Sequence, residues 1–197
     1  MSRKTMQSVV KGLQRSRLIG ANLGNRDKDD FYTTPPSATE ALIAAERFNG
    51  AVWEPACGNG AITKVLQARG FEVRSTDLVD RGFGTPHIDF LMENGPTVAN
   101  IITNPPFKLA SQFARHALKW TSSKVALLLK VGFLEGKERA DLFDAAPFAR
   151  LWVFRARQTF LRGGDVAITM NGAGGMIAYG WFVWDHAHSG SPTLGWL

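Results

Sequence analysis

The chain has 197 residues, 45% of them hydrophobic, 20% charged and 11% aromatic, enough apolar material for one sizeable core at a length that buries roughly 70% of its unfolded surface. This excludes intrinsic disorder, collagen and a disulfide scaffold as descriptions of the whole chain, and apolar runs such as 125–129 fall far short of the ~20 residues of a membrane helix. The net charge of +6 is carried by residues 1–26, where Arg3, Lys4, Lys11, Arg15, Arg17 and Arg26 face no acidic residue, leaving 17 basic and 17 acidic groups elsewhere. A basic arm on a neutral body is the footprint of contact with a polyanion.

Cys57, the one cysteine, allows neither an internal disulfide nor a thiolate metal cluster and suits a reducing cytoplasm. The polar, basic start lacks an apolar signal region, so export is not expected.

Residues 1–30 read as a basic arm and linker; 6–19 has the apolar spacing of a short helix, weakened by Gly12 and Gly20. Phe31 to Pro36 is extended, because a residue before proline leaves the helical region. Ser37-Ala38-Thr39-Glu40 has the form of a capping box opening a helix to Phe48. Ala51–Trp53 is a short buried strand that ends in Glu54-Pro55-Ala56-Cys57-Gly58-Asn59-Gly60, and a helix follows to Arg69, stopped by Gly70. Phe71–Thr76 is the next strand, with Asp77 at its end, and 80–88 is a Gly/Pro loop. Asn100–Thr103 is a strand that stops at Asn104-Pro105-Pro106-Phe107. Lys108–Trp120 is an amphipathic helix, Lys124–Lys130 a strand, Lys137–Ala145 a helix, and Arg150–Arg155 and Met176–Trp184 two strands around a glycine-rich loop.

Alternating strands and helices predict an α/β fold: a Rossmann-like, doubly wound, mainly parallel sheet covered on both faces, spanning 31–197. The last two strands, with no helix between them, are expected as an antiparallel hairpin at one edge. Such a sheet binds its ligand beyond the carboxyl ends of its strands, where strand order reverses. Every unusual motif falls at such an end.

Glycines at a strand-to-helix turn let the backbone approach a ligand and free the helix N-terminus to face it. Alone, the turn fits several nucleotide-binding folds or none. Its spacing is not that of dinucleotide binders, and Glu54 would repel pyrophosphate and favour a cation. Asp77, roughly 20 residues on, is where a carboxylate holds ribose hydroxyls. An acid for an amine, a glycine turn and a ribose carboxylate fit S-adenosylmethionine better than a nicotinamide cofactor. In Asn104-Pro105-Pro106-Phe107 the two prolines fix an extended backbone and remove two N–H donors. The Asn104 side-chain oxygen and the Pro105 carbonyl can each accept a hydrogen of a planar amine, while Phe107 offers its ring a stacking face.

These residues resemble the class I S-adenosylmethionine-dependent methyltransferases of the DNA adenine-N6 type, small phage-encoded members in particular. Glu54 to Gly60 resembles the family's [DE]-P-A-C-G-x-G cofactor motif, and Asn104 to Phe107 its [DNS]-P-P-[YFW] catalytic motif. Phe31 to Pro35 resembles the upstream Tyr-x-Thr-Pro segment, His87 to Leu91 a Gly-Asp-Phe-Leu segment, and Val131 to Gly136 a Phe-Leu-Glu-Gly stretch. The resemblance covers residues 31 to about 184. It implies that Asn104, Pro105, Pro106 and Phe107 grip a flipped target base. It implies a cofactor site of Glu54 near the amino group, Pro55, Ala56, Cys57, Gly58 and Gly60 in the turn, Asp77 with Leu78 at the ribose, Asp89 and Phe90 flanking the adenine, and Tyr32, Thr34 and Pro35 over the carboxylate end. DNA is the implied partner, contacted by Arg3, Lys4, Lys11, Arg15, Arg17, Lys108, Arg157 and Arg162. Glu54 replaces the commoner Asp, Asn59 a small residue, and His87 a frequent Gly. No segment is long enough for a separate target-recognition domain, so sequence readout would rest on 81–86, 157–175 and the arm.

Cys57 is expected to pack as a small apolar residue rather than act as a nucleophile, and His186 and His188 to be solvated rather than to bind metal. Trp181 and Trp184 alternate badly for one face, which leaves one of them exposed. Glu135 has two open readings, touching substrate or pairing with Lys137 or Arg139. Two other functions remain: an RNA-base or protein-glutamine methyltransferase using the same corner, and a non-catalytic nucleic-acid-binding protein on the same fold.

Overall fold

The structure, a computed structural model, describes residues 31–95, 97–156, 161–162 and 177–197. Arg3, Lys4, Lys11, Arg15, Arg17 and Arg157, the helix expected over 6–19, the first residue of the strand expected at Met176, and the side chain of Arg162 lie outside the described residues.

A seven-stranded sheet holds β2 (Val52–Glu54), β3 (Val73–Ser75), β4 (Val98–Thr103), β5 (Thr121–Lys130), β6 (Phe148–Val153), β8 (Tyr179–Asp185) and β9 (Thr193–Trp196). Their order is β3-β2-β4-β5-β8-β6-β9. The pairs β2/β3, β2/β4, β4/β5 and β6/β9 are parallel; β8 runs antiparallel to both β5 and β6. The antiparallel pair expected from the last two strands is therefore present toward one end of the sheet, with β9 added outside it. A separate two-stranded ribbon pairs β1 (Tyr32–Thr33) with β7 (Leu161–Arg162).

Helices α1 (Pro36–Ala45) and α2 (Ala61–Ala68) cover one face, and α3 (Ala110–Trp120) and α4 (Ala140–Asp144) the other. Strand β5 shows why both faces are dry. Val125, Leu127 and Leu129 point toward Phe113, Ala114 and Leu142, while Ala126 and Leu128 point toward Leu42, Ile62 and Leu66. Period-two alternation delivers an unbroken apolar run to two cores at once. The same geometry corrects the expectation for Trp181 and Trp184. Inserted between β5 and β6, β8 has no solvent face, and both indoles are fully buried, donating to the carbonyls of Ala38 and Leu142.

The expected capping box is also corrected. Helix α1 starts at Pro36, with Pro35 as its cap and no side-chain capping bond. Proline's fixed φ suits the first helical position, so Ser37 lies inside the helix. The helix ends early, at Ala45, where Glu46 turns extended. Glu46 is buried and meets Lys124, Arg150 and the indole N–H of Trp152, while Asp185 shares both cations. Burial raises the Glu46 pKa, but these bonds from Arg150, Lys124 and Trp152 outweigh it and hold the carboxyl below its ordinary range. Among the described residues, no helix is long and apolar enough to cross a membrane.

Candidate functional site at the carboxyl ends of the strands

From β2 the chain moves to β3 on one side, then returns through β4 to the other side of β2. This reversal opens a crevice beyond the carboxyl ends of β2 and β4. The glycine turn leaves β2 there, the proline loop leaves β4, and Asp77 ends the segment after β3.

In the turn, Gly58 has φ +55° and Gly60 φ +78°, left-handed values that disfavour side chains. Space enforces the same choice: a Cβ on Gly58 would lie 2.4 Å from the Phe31 ring, and one on Gly60 2.5 Å from the Phe83 ring. Phe31 and Phe83 therefore wall the turn, each with a cation over its ring, Arg81 at 4.1 Å and Lys64 at 5.0 Å. Asp77 clamps the turn to β3. One of its oxygens accepts from the Gly58 N–H at 2.8 Å and the other from the Val79 N–H at 2.9 Å. Each carboxylate oxygen can accept more than one hydrogen bond, so Asp77 keeps capacity for a ligand's hydroxyls. Leu78, beside it, is 58% exposed.

Asn104 closes the other side. Its Nδ2 donates to the Tyr32 carbonyl at 3.2 Å and to the Thr34 hydroxyl at 3.1 Å. A carbonyl only accepts, so this pairing fixes which way the amide faces. The Oδ1 is then left buried with no hydrogen-bond partner among the described residues. Pro105 is buried and Phe107 half-buried. Phe107 has the rings of Tyr32 and Tyr179 at 5.8 Å, and the Lys130 ammonium 4.7 Å from its own. Asn59 donates to the Thr33 hydroxyl at 3.2 Å. The segment Tyr32–Thr34 is thereby tied to both loops and bridges the crevice, with Pro35 half-buried behind it.

Two expected positions, Glu54 and Phe90, are turned away from the crevice. The Glu54 carboxylate is buried and accepts both the backbone N–H (2.8 Å) and the hydroxyl of Thr63, in the first turn of α2. It holds the helix rather than facing the crevice. Burial, with the Asp77 charge nearby, raises its pKa to about 8 against the bonds from Thr63. Phe90 is a core residue, 2% exposed and packed on Trp53, Phe113 and His116, so it offers no ring face to a ligand. Asp89 is exposed, and its carboxylate accepts from the Leu91 N–H.

Elsewhere in the turn, Pro55 is buried, Ala56 half-buried and Cys57 buried. Burial and the neighbouring Glu54 and Asp77 charges push the Cys57 thiol up to about 12, leaving it protonated and inert. His87 takes a left-handed φ of 62°, a conformation in which His is among the enriched non-glycine residues. Lys108 is exposed beside Phe107. The Glu135 carbonyl accepts from Arg139, whose ion-pair partner is Glu138. His186 is exposed and His188 half-buried in the bend after β8. The sequence gives no site role to Lys130 or Tyr179, and it offers Phe31 only as the start of the segment to Pro35 and Phe83 only as part of the 81–86 loop.

No family model matches the chain, and no curated protein matches it in sequence. Solved structures do match in shape. A Listeria monocytogenes protein, provisionally described as a class I S-adenosylmethionine-dependent methyltransferase, superposes with a TM-score of 0.60 at 13% identity, over 95% of this chain and 72% of its own. A modification subunit of a provisionally assigned type I restriction enzyme from Vibrio vulnificus gives 0.54 at 14%, over 98% and 51%. A Pyrococcus horikoshii protein provisionally described as an RNA methyltransferase gives 0.57 at 14%, over 82% and 90%. The sheet order, the crevice at its reversal and these superpositions give the chain the fold of class I methyltransferases.

Proposed function

We propose that the chain is an S-adenosylmethionine-dependent methyltransferase acting on the N6 amine of adenine in DNA. The observation that carries this reading is the buried Oδ1 of Asn104, without a partner among the described residues and held in place by two bonds through the nitrogen of the same amide. An unsatisfied buried acceptor costs about 1–3 kcal/mol, and a planar amine relieves it. One amine hydrogen goes to Asn104 Oδ1 and the other to the Pro105 carbonyl, while the base stacks on Phe107. Both acceptors draw the nitrogen toward tetrahedral geometry and free its lone pair for attack. The positive charge that grows on the nitrogen strengthens both bonds, so they favour the transition state over the bound base.

The residues on the β2 and β3 side suit the cofactor. Asp77 has capacity for its ribose hydroxyls and Leu78 offers exposed apolar surface, while Gly58 and Gly60 shape the turn that the cofactor would cross. Bound there, S-adenosylmethionine supplies the methyl group on its sulfonium. Phe31 and Phe83 form the walls it would meet. Glu54 acts at one remove, fixing the start of α2 through Thr63.

DNA is preferred to RNA and protein because Phe107 suits a flipped base and the basic residues at 1–26 suit phosphate. The fold is shared with the Vibrio vulnificus modification subunit and with the Pyrococcus horikoshii protein alike, which supports a nucleic-acid substrate without choosing between DNA and RNA. The test is transfer of tritiated methyl groups from labelled cofactor to DNA, RNA and protein, followed by digestion of the product. N6-methyladenine from DNA is the expected result. Label confined to RNA or protein moves the substrate, and no label in any of the three overturns the assignment.

A further inference from the structure

Strands β4 and β5 part company at the site. Their last pairing is Thr103 with Leu127, and β4 then gives way to the proline loop. Strand β5 continues through Leu128, Leu129 and Lys130, still paired with β8 at Trp181, Gly180 and Tyr179. This extension is about 10 Å of strand, at ~3.3 Å per residue. It forms a wall beside the loop, and its outermost pair, Lys130 opposite Tyr179, meets Phe107. The Lys130 ammonium lies 4.7 Å from the centre of the Phe107 ring.

We infer that Lys130 is a substrate-positioning residue that binds a phosphate flanking the target nucleotide while the base rests on Phe107. This rests on the nucleic-acid reading above and adds to it a residue outside the loop motifs. A base stacked on Phe107 would carry its flanking phosphates close to the end of the β5 extension, because Lys130 already lies against the same ring. Lysine is a compact charge on a flexible stem, so its ammonium can reach a phosphate without rearranging the strand that carries it. Tyr179, across the ladder, packs its ring against Phe107 in a tilted arrangement at 5.8 Å.

The experiment measures affinity against salt for a DNA duplex that the parent methylates, for the parent, Lys130→Met and Lys130→Arg. The parallel duplexes carry a neutral methylphosphonate 5′ or 3′ of the target adenine. Lys130→Met should flatten the slope of log affinity against log salt by about 0.9 and raise KM more than it lowers kcat. Lys130→Arg should restore the slope. One methylphosphonate should produce the same loss in the parent, and no further loss in Lys130→Met. The parent's response to the neutral phosphate needs no mutation, so a poorly folding variant does not remove the test. An unchanged slope in Lys130→Met, or equal losses from the methylphosphonates in parent and variant, overturns the inference and leaves the methyltransferase reading standing. A parent that neither binds nor methylates DNA overturns both.

Discussion

Replacing Asn104 by Ala separates a catalytic acceptor from a structural tether. The amide makes two donor contacts, 3.2 Å to the Tyr32 carbonyl and 3.1 Å to the Thr34 hydroxyl. Losing both costs about 1–3 kcal/mol. Removing the unpartnered Oδ1 returns a similar amount, about 1–3 kcal/mol. The net change in stability should be on the order of 1 kcal/mol, or about 2–4 °C in Tm for a chain of this size. The chemical step has no such offset. There the oxygen gains a partner as charge develops, and losing one preorganised group of this kind costs about 2.7–4 kcal/mol, a factor of ~10²–10³ in turnover. Single-turnover transfer of labelled methyl groups reads the turnover, melting curves on the same protein read the stability, and calorimetry should show cofactor affinity nearly intact. Asn104→Asp completes the series: it keeps an acceptor toward the amine but sets an oxygen where the amide nitrogen met the Tyr32 carbonyl. It should lose less turnover and more stability than the alanine variant. A folded Asn104→Ala protein that binds cofactor and methylates the parent's substrate at the parent's rate refutes the reasoning.

Asp77→Ala should weaken cofactor binding by about 1.5–3 kcal/mol, the range for hydrogen bonds to a charged group, and unchanged affinity by calorimetry would remove Asp77 from the site. Glu54 titrates near 8 when folded and near 4.5 as a free side chain, so between those values the native state holds the proton more tightly and stability falls as pH rises. At 1.36 kcal/mol per pKa unit the bound is roughly 4–5 kcal/mol; Glu54→Gln should flatten melting curves taken from pH 5 to 9, and a parent with no slope to lose would contradict the burial argument. Glu46 behaves oppositely: its lowered pKa stabilises the fold above about pH 4.5, and that stability is lost as pH falls through the folded value. Glu46→Gln at neutral pH should cost about 1–3 kcal/mol, since Lys124 and Arg150 lose one carboxylate but keep Asp185; denaturant unfolding measures it.

The residues legible in the sequence were those whose chemistry is local. Val125–Leu129 announced a strand buried on both faces, and the turn at Gly58–Gly60 and the loop at Asn104–Phe107 announced breaks where only special backbones fit. What stayed hidden was set by partners far away along the chain. Glu46 reads as an ordinary acidic residue near a helix end; its cations arrive from β5 and β6, 78 and 104 residues on, and only the folded sheet brings them to it. Trp181 and Trp184 misled because alternation was read for a strand with one wet face, whereas the placement of β8 between β5 and β6 gives it none. The neighbours of Phe90 in sequence point it at a ligand, yet Trp53, Phe113 and His116 claim its ring for the core. The same limit hid Lys130 and Tyr179. They become neighbours of Phe107 because β5 and β8 keep pairing after β4 has stopped. That difference in strand length is written in no motif, and it places a cation beside the one ring on which the substrate is proposed to rest.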